Sequence, residues 1–155
     1  MTEQVESGRD AVDRVVRRRV FRRAAEMAHV PTPDEIAAAL GRPRLEVEQS
    51  LHRLAANHLL VLAPGTANVW VAPPFCAVPS DFRVNALGRT YWGICIWDAL
   101  GIAAALHADA TVPVRCGDCG DELGLEVREG RLAGGEGLVH FPVPAIRWWD
   151  NIAFA

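Results

Sequence analysis

Between Asp10 and about His29 the apolar residues Val12, Val15, Val16, Val20, Ala24 and Met27 recur at steps of three and four. That period predicts an amphipathic helix, with Arg14, Arg17, Arg18, Arg22 and Arg23 on its other face. Pro31-Thr32-Pro33 ends it, and Thr32 or Asp34 can start a short second helix, Asp34–Leu40, that stops at Gly41. Pro43 suits the first turn of a third helix, which reaches about Asn57 with Leu45, Val47, Leu51 and Leu54 turned inward. Leu59–Leu62 and Asn68–Ala72, on either side of Pro64-Gly65-Thr66, predict a two-stranded wing. Residues 1–74 therefore read as a helical, winged-helix-like subdomain.

Pro73-Pro74 and Pro79 mark a hinge into the remainder, residues 75–155. There Phe82–Leu87 reads as a strand or loop, followed by a helix carrying Cys95 and Asp98. Ala110–Val114 and Leu123–Arg128 read as strands around the turn Cys116–Gly120, and further turns fall at Gly130 and Gly134-Gly135. Leu138–Phe141 and Ile146–Phe154 are expected to close the chain as strands. The fold class is α+β: the winged-helix-like helical subdomain, then a core built on a small, mostly antiparallel sheet.

Half of the 155 residues are hydrophobic, so the composition is globular and one compact core or two small subdomains can form. A formal charge of −3 argues against a general binder of polyanions. All sixteen basic residues are arginine, which reads as coding bias before any functional preference. Asp98, His107 and Asp109 interrupt the longest apolar run well short of the roughly 20 residues that span a bilayer. The start, Met1-Thr2-Glu3-Gln4-Val5-Glu6, lacks the pattern of a signal peptide. Four cysteines without an export signal then predict reduced thiols in the cytoplasm.

The candidate chemistry lies in Tyr91-Trp92-Gly93-Ile94-Cys95-Ile96-Trp97-Asp98 and the small apolar run Ala99–Leu106. A thiol and a carboxylate three residues apart share one face of a helix. Among apolar neighbours they cost free energy unless hydrogen-bonded or used. Proximity to a helix N-terminus is expected to lower the thiol's proton affinity. Desolvation by Trp92, Ile96 and Trp97 is expected to raise the carboxyl pKa, so that Asp98 can hold a proton near neutrality. In the plain structural alternative, Cys95 is a buried small hydrophobe and Asp98 the N-cap of a helix over 99–106.

The stretch from Tyr91 to Val127 resembles the core of the organomercurial (alkylmercury) lyases. Trp92, Cys95-x-x-Asp98, the Ala99–Leu106 run, Ala110–Val114, Cys116-Gly117-Asp118-Cys119-Gly120 and Leu123–Val127 follow one another as the family's elements do. The N-terminal part resembles that family's helical domain. The resemblance implies cleavage of a carbon–mercury bond by two cysteines and an aspartate, with Cys95 and Asp98 matching the first cysteine and the aspartate. The second cysteine is expected in a late strand, where this chain has Ile146-Arg147-Trp148-Trp149-Asp150-Asn151. Trp148 and Trp149 then line the substrate pocket opposite Cys95 together with Trp92, or one of them simply packs in the core.

Cys116-Gly117-Asp118-Cys119 offers half of a tetrahedral metal site, and Cys76, His107 and His140 lie at no diagnostic spacing to complete it. The alternative is a tight structural turn, so no metal and no cofactor are assigned. In the third helix, Glu46 and Glu48 repel phosphate, which disfavours nucleic acid as a partner. The leading expectation is a lyase or hydrolase-like enzyme acting on a small-molecule substrate, with Cys95 as thiol ligand or nucleophile and Asp98 as proton donor or acceptor. One alternative keeps the fold for acid–base or thiol-dependent chemistry on an organic metabolite. The other is a metal- or ligand-responsive winged-helix regulator.

Overall fold

The computed structural model describes residues 2–135, 137–150 and 152, the first six by their backbone alone. The chain divides into two compact units, residues 1–79 and 80–155. Among the described residues no helix is long and apolar enough to cross a membrane.

The first unit opens with α1 (Thr2–Met27), which begins well before the expected Asp10. Its period buries Val16, Val20 and Ala24, while Val15 and Met27 remain exposed. Thr32 then caps α2 (Pro33–Leu40): its hydroxyl accepts from the Glu35 N–H, and the Glu35 carboxylate accepts from the Thr32 N–H. This reciprocal pair satisfies two of the helix's orphan donors. Gly41, at φ 60°, ends the helix in the left-handed conformation that glycine adopts without strain. The third helix, α3 (Arg44–Ala56), buries Val47, Leu51 and Leu54. Leu45, expected inward, is 65% exposed, because it sits in the first turn ahead of the buried stripe.

One polar anchor ties α1 to α3. The Asp13 carboxylate accepts from the Ser50 hydroxyl (2.6 Å) and from both Nε (2.9 Å) and a terminal nitrogen (2.6 Å) of Arg53. Burial works to raise the Asp13 pKa, but the Arg53 and Ser50 donors and the Arg53 charge outweigh it and hold it below the ordinary value. Three short strands follow, β1 (Val61–Leu62), β2 (Val69–Ala72) and β3 (Phe75–Cys76), paired antiparallel in that order. The third strand lies past the expected limit of residue 74. It pairs with β2 through Val71 opposite Cys76, so it belongs to the first unit.

In the second unit an antiparallel five-stranded sheet runs in the order β5-β4-β6-β7-β8. Its strands are β4 (Phe82–Ala86), β5 (Arg89–Gly93), β6 (Ala110–Arg115), β7 (Glu122–Arg128) and β8 (Arg131–Gly134). One helix, α4 (Ile96–Leu106), joins β5 to β6 and packs on β4, β5 and β6. The core between them holds Val84, Ala86, Tyr91, Ala99, Ile102, Ala103, Ala110 and Val112.

One strand is new and two expectations are corrected. Tyr91–Gly93, which the sequence pattern assigns to no element, belong to β5, since Tyr91 and Gly93 alternate inward with Trp92 between them. Leu138–Phe141 form no strand. Ala145–Asp150 form a 3-10 helix instead of a strand, and Asn151 and residues 153–155 of that expected strand lie outside the described residues. No alternation of burial supports a strand there: Leu138 is 99% and Ile146 90% exposed.

Candidate functional site

The site is set where β5 turns into α4. The Ser80 hydroxyl donates to the Gly93 carbonyl and accepts from the Phe82 N–H, which fixes the end of the strand. Helix α4 then starts at Ile96 with Cys95 as its N-cap, in an extended conformation (φ −148°, ψ 174°). The Cys95 Sγ accepts from the Asp98 N–H at 3.5 Å. Asp98 therefore stands in the first turn and does not cap a helix over 99–106. The helix begins a turn earlier than that alternative required, and a sulfur occupies the position usually filled by a hydroxyl or carboxylate oxygen.

The Asp98 carboxylate reaches back over the same turn and accepts from the Ile94 N–H at 3.4 Å. Thiol and carboxylate are thus bound to the two ends of one short loop. Burial dominates the chemistry of both. It pushes the Asp98 pKa from an ordinary 3.8 to about 6, against the opposing pull of the Ile94 N–H. It also pushes the Cys95 thiol up, helped by the Asp98 charge and opposed by the N–H groups of Asp98 and Trp97. The expected lowering of the thiol's proton affinity is overturned: desolvation of a half-buried sulfur outweighs the amides of the helix end. At neutral pH the pair rests as a thiol beside a carboxylate.

Beside this turn lies an open, mainly apolar groove of about 580 Å³ lined by Trp97, Phe141, Val143, Pro144, Ala145 and Trp148. Trp97 projects from α4 between the two site residues and meets Phe141 edge-on, with ring centroids 6.3 Å apart. Phe141 in turn lies 5.1 Å from Trp148, centroid to centroid, and the Trp148 indole N–H donates to the Val143 carbonyl at 3.0 Å. The groove joins Trp148 to the helix that carries Cys95 and Asp98. Trp149, 38% exposed, is not one of its lining residues. Trp92 lies on β5, where strand alternation sends its side chain to the sheet face opposite Tyr91 and Gly93. Phe141 and the Val143–Ala145 segment carry no motif that marks them in the sequence, and only the fold brings them to Trp97.

Cys116 and Cys119 sit in the turn between β6 and β7. The Cys116 N–H donates to the Asp121 carbonyl (2.8 Å) and the Gly120 N–H to the Cys116 carbonyl (3.0 Å). The neighbouring amides of Cys119 and Asp118, with the Cys119 thiol, hold the Cys116 pKa below the ordinary thiol value. Among the described residues no group of three or more His, Cys, Asp or Glu side chains is placed to hold a metal ion.

Fold and site together define an α+β protein with a thiol–carboxylate pair at the N-terminal end of the helix packed on its five-stranded sheet. Residues 75–155 match the MerB, alkylmercury lyase, family, and the chain belongs to that family. A solved structure described as the mercury-bound form of MerB2 superposes with a TM-score of 0.63 at 22% identity, which bears on the fold. The match covers 80% of this chain and 59% of the other, so the chain spans less than two thirds of that relative's length. No match was found among curated protein sequences.

Proposed function

We propose that the protein cleaves the carbon–mercury bond of small organomercurials, with Cys95 holding the metal and Asp98 moving the proton. The observation that carries this reading is the resting state of the pair, a thiol capping α4 and a carboxylate with a pKa near 6 in the same turn. Mercury prefers sulfur ligands. As the Cys95 sulfur bonds to the mercury of R–Hg⁺, its proton passes to the Asp98 carboxylate. Asp98, now neutral in an apolar setting, returns that proton to the carbon as the carbon–mercury bond breaks. R–H leaves, mercury(II) stays on the Cys95 sulfur, and Asp98 is again ionised. Small thiols in solution then take the mercury by ligand exchange, returning a proton to Cys95. The apolar groove beside Trp97 receives the R group.

The order of three helices and a small antiparallel sheet supports reading the first unit as winged-helix-like. The arginines at the start of its third helix are paired with acids, Arg42 just ahead of the helix with Glu46, and Arg44 with Glu48 and Asp34, at 2.7–2.8 Å. Paired arginines leave little free charge for phosphate, which favours a small-molecule enzyme over a DNA-binding regulator.

The test is release of inorganic mercury from phenylmercury or methylmercury by the purified protein, with a small thiol in excess. Release above the thiol-only blank, lost in Cys95→Ser and Asp98→Asn, is expected. No release above the blank overturns the reading. A second reading has its own observation: Trp148 lines the groove in the segment where the resemblance implies a second cysteine. That exchange suits a flat or cationic organic substrate, handled by the same thiol and carboxylate. Intact turnover of such a substrate by both variants overturns it.

A further inference from the structure

The Cys116–Cys119 turn is not used by the proposed reaction, yet it is built around sulfur. Both cysteines sit in one closed turn, with the Gly120 N–H donating to the Cys116 carbonyl at 3.0 Å and the Cys116 N–H to the Asp121 carbonyl at 2.8 Å, so their side chains are held within the same loop. The Cys119 and Asp118 amides lower the proton affinity of the Cys116 sulfur and so favour its thiolate. Gly120, at φ +76°, closes the loop, and nothing lies within 4 Å of where its Cβ would be. The β6–β7 pairing clamps the base, with Arg115 opposite Glu122. Cys119 is exposed and Cys116 half-buried, so an ion can reach the pair from solvent. Tetrahedral zinc needs four ligands. Mercury(II), a soft d10 ion, is satisfied by two thiolates.

We propose that Cys116 and Cys119 form a two-thiolate binding site for a soft d10 metal ion, mercury(II) foremost, separate from Cys95. Each thiol gives up its proton to solvent, or to the small thiol that delivered the ion, and donates a sulfur lone pair to the metal. The preset turn makes the second bond intramolecular, so the chelate outlasts a complex with one cysteine and one free thiol. The choice of mercury rests on the proposed lyase activity; the two-sulfur site does not.

The test uses the full chain carrying Cys95→Ser, reduced and kept anaerobic, so that no carbon–mercury cleavage is involved. It is loaded with one equivalent of mercury(II) chloride, challenged with excess glutathione and desalted. Native mass spectrometry should find one mercury per chain. Iodoacetamide, mapped by peptide mass, should no longer label Cys116 or Cys119. Adding Cys116→Ser or Cys119→Ser should weaken retention on the order of a hundredfold or more, with an unchanged melting curve. If either variant unfolds, the labelling pattern of the loaded parent decides. Mercury that is not retained, or is retained while both cysteines still label, overturns the site. A protein that cleaves organomercurials but fails here loses this site and keeps the lyase reading, and the converse result separates them the other way.

Discussion

Gly93 and Asp98 approach each other more closely than any side chain at position 93 allows. A Cβ on Gly93 would lie 2.9 Å from the Asp98 Cβ and 2.9 Å from the Ala99 nitrogen. The absent methyl group is what lets the first turn of α4 settle on the end of β5, and that contact buries the Asp98 side chain. Gly93→Ala should therefore push the turn outward. Overpacking of this kind costs about 1–3 kcal/mol, and because backbone has to move, the upper half of that range is expected. Activity should fall by more than the stability loss explains, since the displaced turn carries both site residues. A thermal melt beside an organomercurial assay checks it, and full activity in Gly93→Ala would show that the contact does not set the site.

Asp98 itself weakens the fold at neutral pH. Its folded pKa of about 6 lies above the ordinary 3.8, so the folded state holds the proton that the unfolded chain has already released. Its contribution to stability is fully present below about 3.8 and is lost as pH rises to about 6. The loss amounts to at most about 3 kcal/mol. Asparagine carries no charge and can still accept from the Ile94 N–H. Asp98→Asn should match the parent near pH 4, exceed it in stability above pH 6, and be inactive. Denaturant melts at the two pH values check this, and equal stability at pH 7.5 would mean that burial does not tax the carboxylate.

The first unit was largely legible in the sequence because each of its signals is local. The 3–4 spacing of Val16, Val20 and Ala24, the Thr32 start and the Gly41 stop each act within a turn or two of chain. The second unit was less so. Tyr91-Trp92-Gly93 sits in one unbroken apolar stretch, and periodicity cannot separate a buried strand from a helix over so few residues. That ambiguity moved the start of α4, and with it the identity of the cap. The pairing of Cys95 with Asp98 survives, because N-cap and third helical position are as close as two points on a helix face. The groove was only half legible. Trp148 stood out, but Phe141 reaches Trp97 through an irregular segment with no period at all.

The hairpin between β4 and β5 was missed for a related reason. Its two central residues, Leu87 (φ 51°) and Gly88 (φ 69°), both take positive φ, as a tight two-residue turn demands. Leucine is a poor choice there, and its side chain is 64% exposed. Leu87→Asn keeps the turn with a residue that tolerates this conformation. It should stabilise the protein by about 0.5–1 kcal/mol and leave activity unchanged, because the turn sits at the end of β5 opposite the one that leads into Cys95 and lines no part of the groove. A lower midpoint in urea would show that the leucine makes a contact worth more than the strain.

The dependence of activity on pH separates a proton shuttle from a simple metal clamp. In the proposed cycle the resting enzyme must present Asp98 as carboxylate, so that it can take the Cys95 proton. Below its pKa of about 6 the carboxyl is already protonated and the thiol has no acceptor. kcat/KM for an organomercurial should therefore fall tenfold per pH unit in the limit below 6, and level off above it. A second fall belongs at alkaline pH, above the ordinary thiol range. There burial and the Asp98 charge hold the Cys95 proton longest, and once it is lost nothing remains to hand to the carbon. A clamp that uses only the Cys95 thiolate predicts the opposite slope, with kcat/KM rising steadily toward alkaline pH. Rates from pH 5 to 10 in a constant-ionic-strength buffer distinguish the two, and a monotonic rise would remove Asp98 from the proton path.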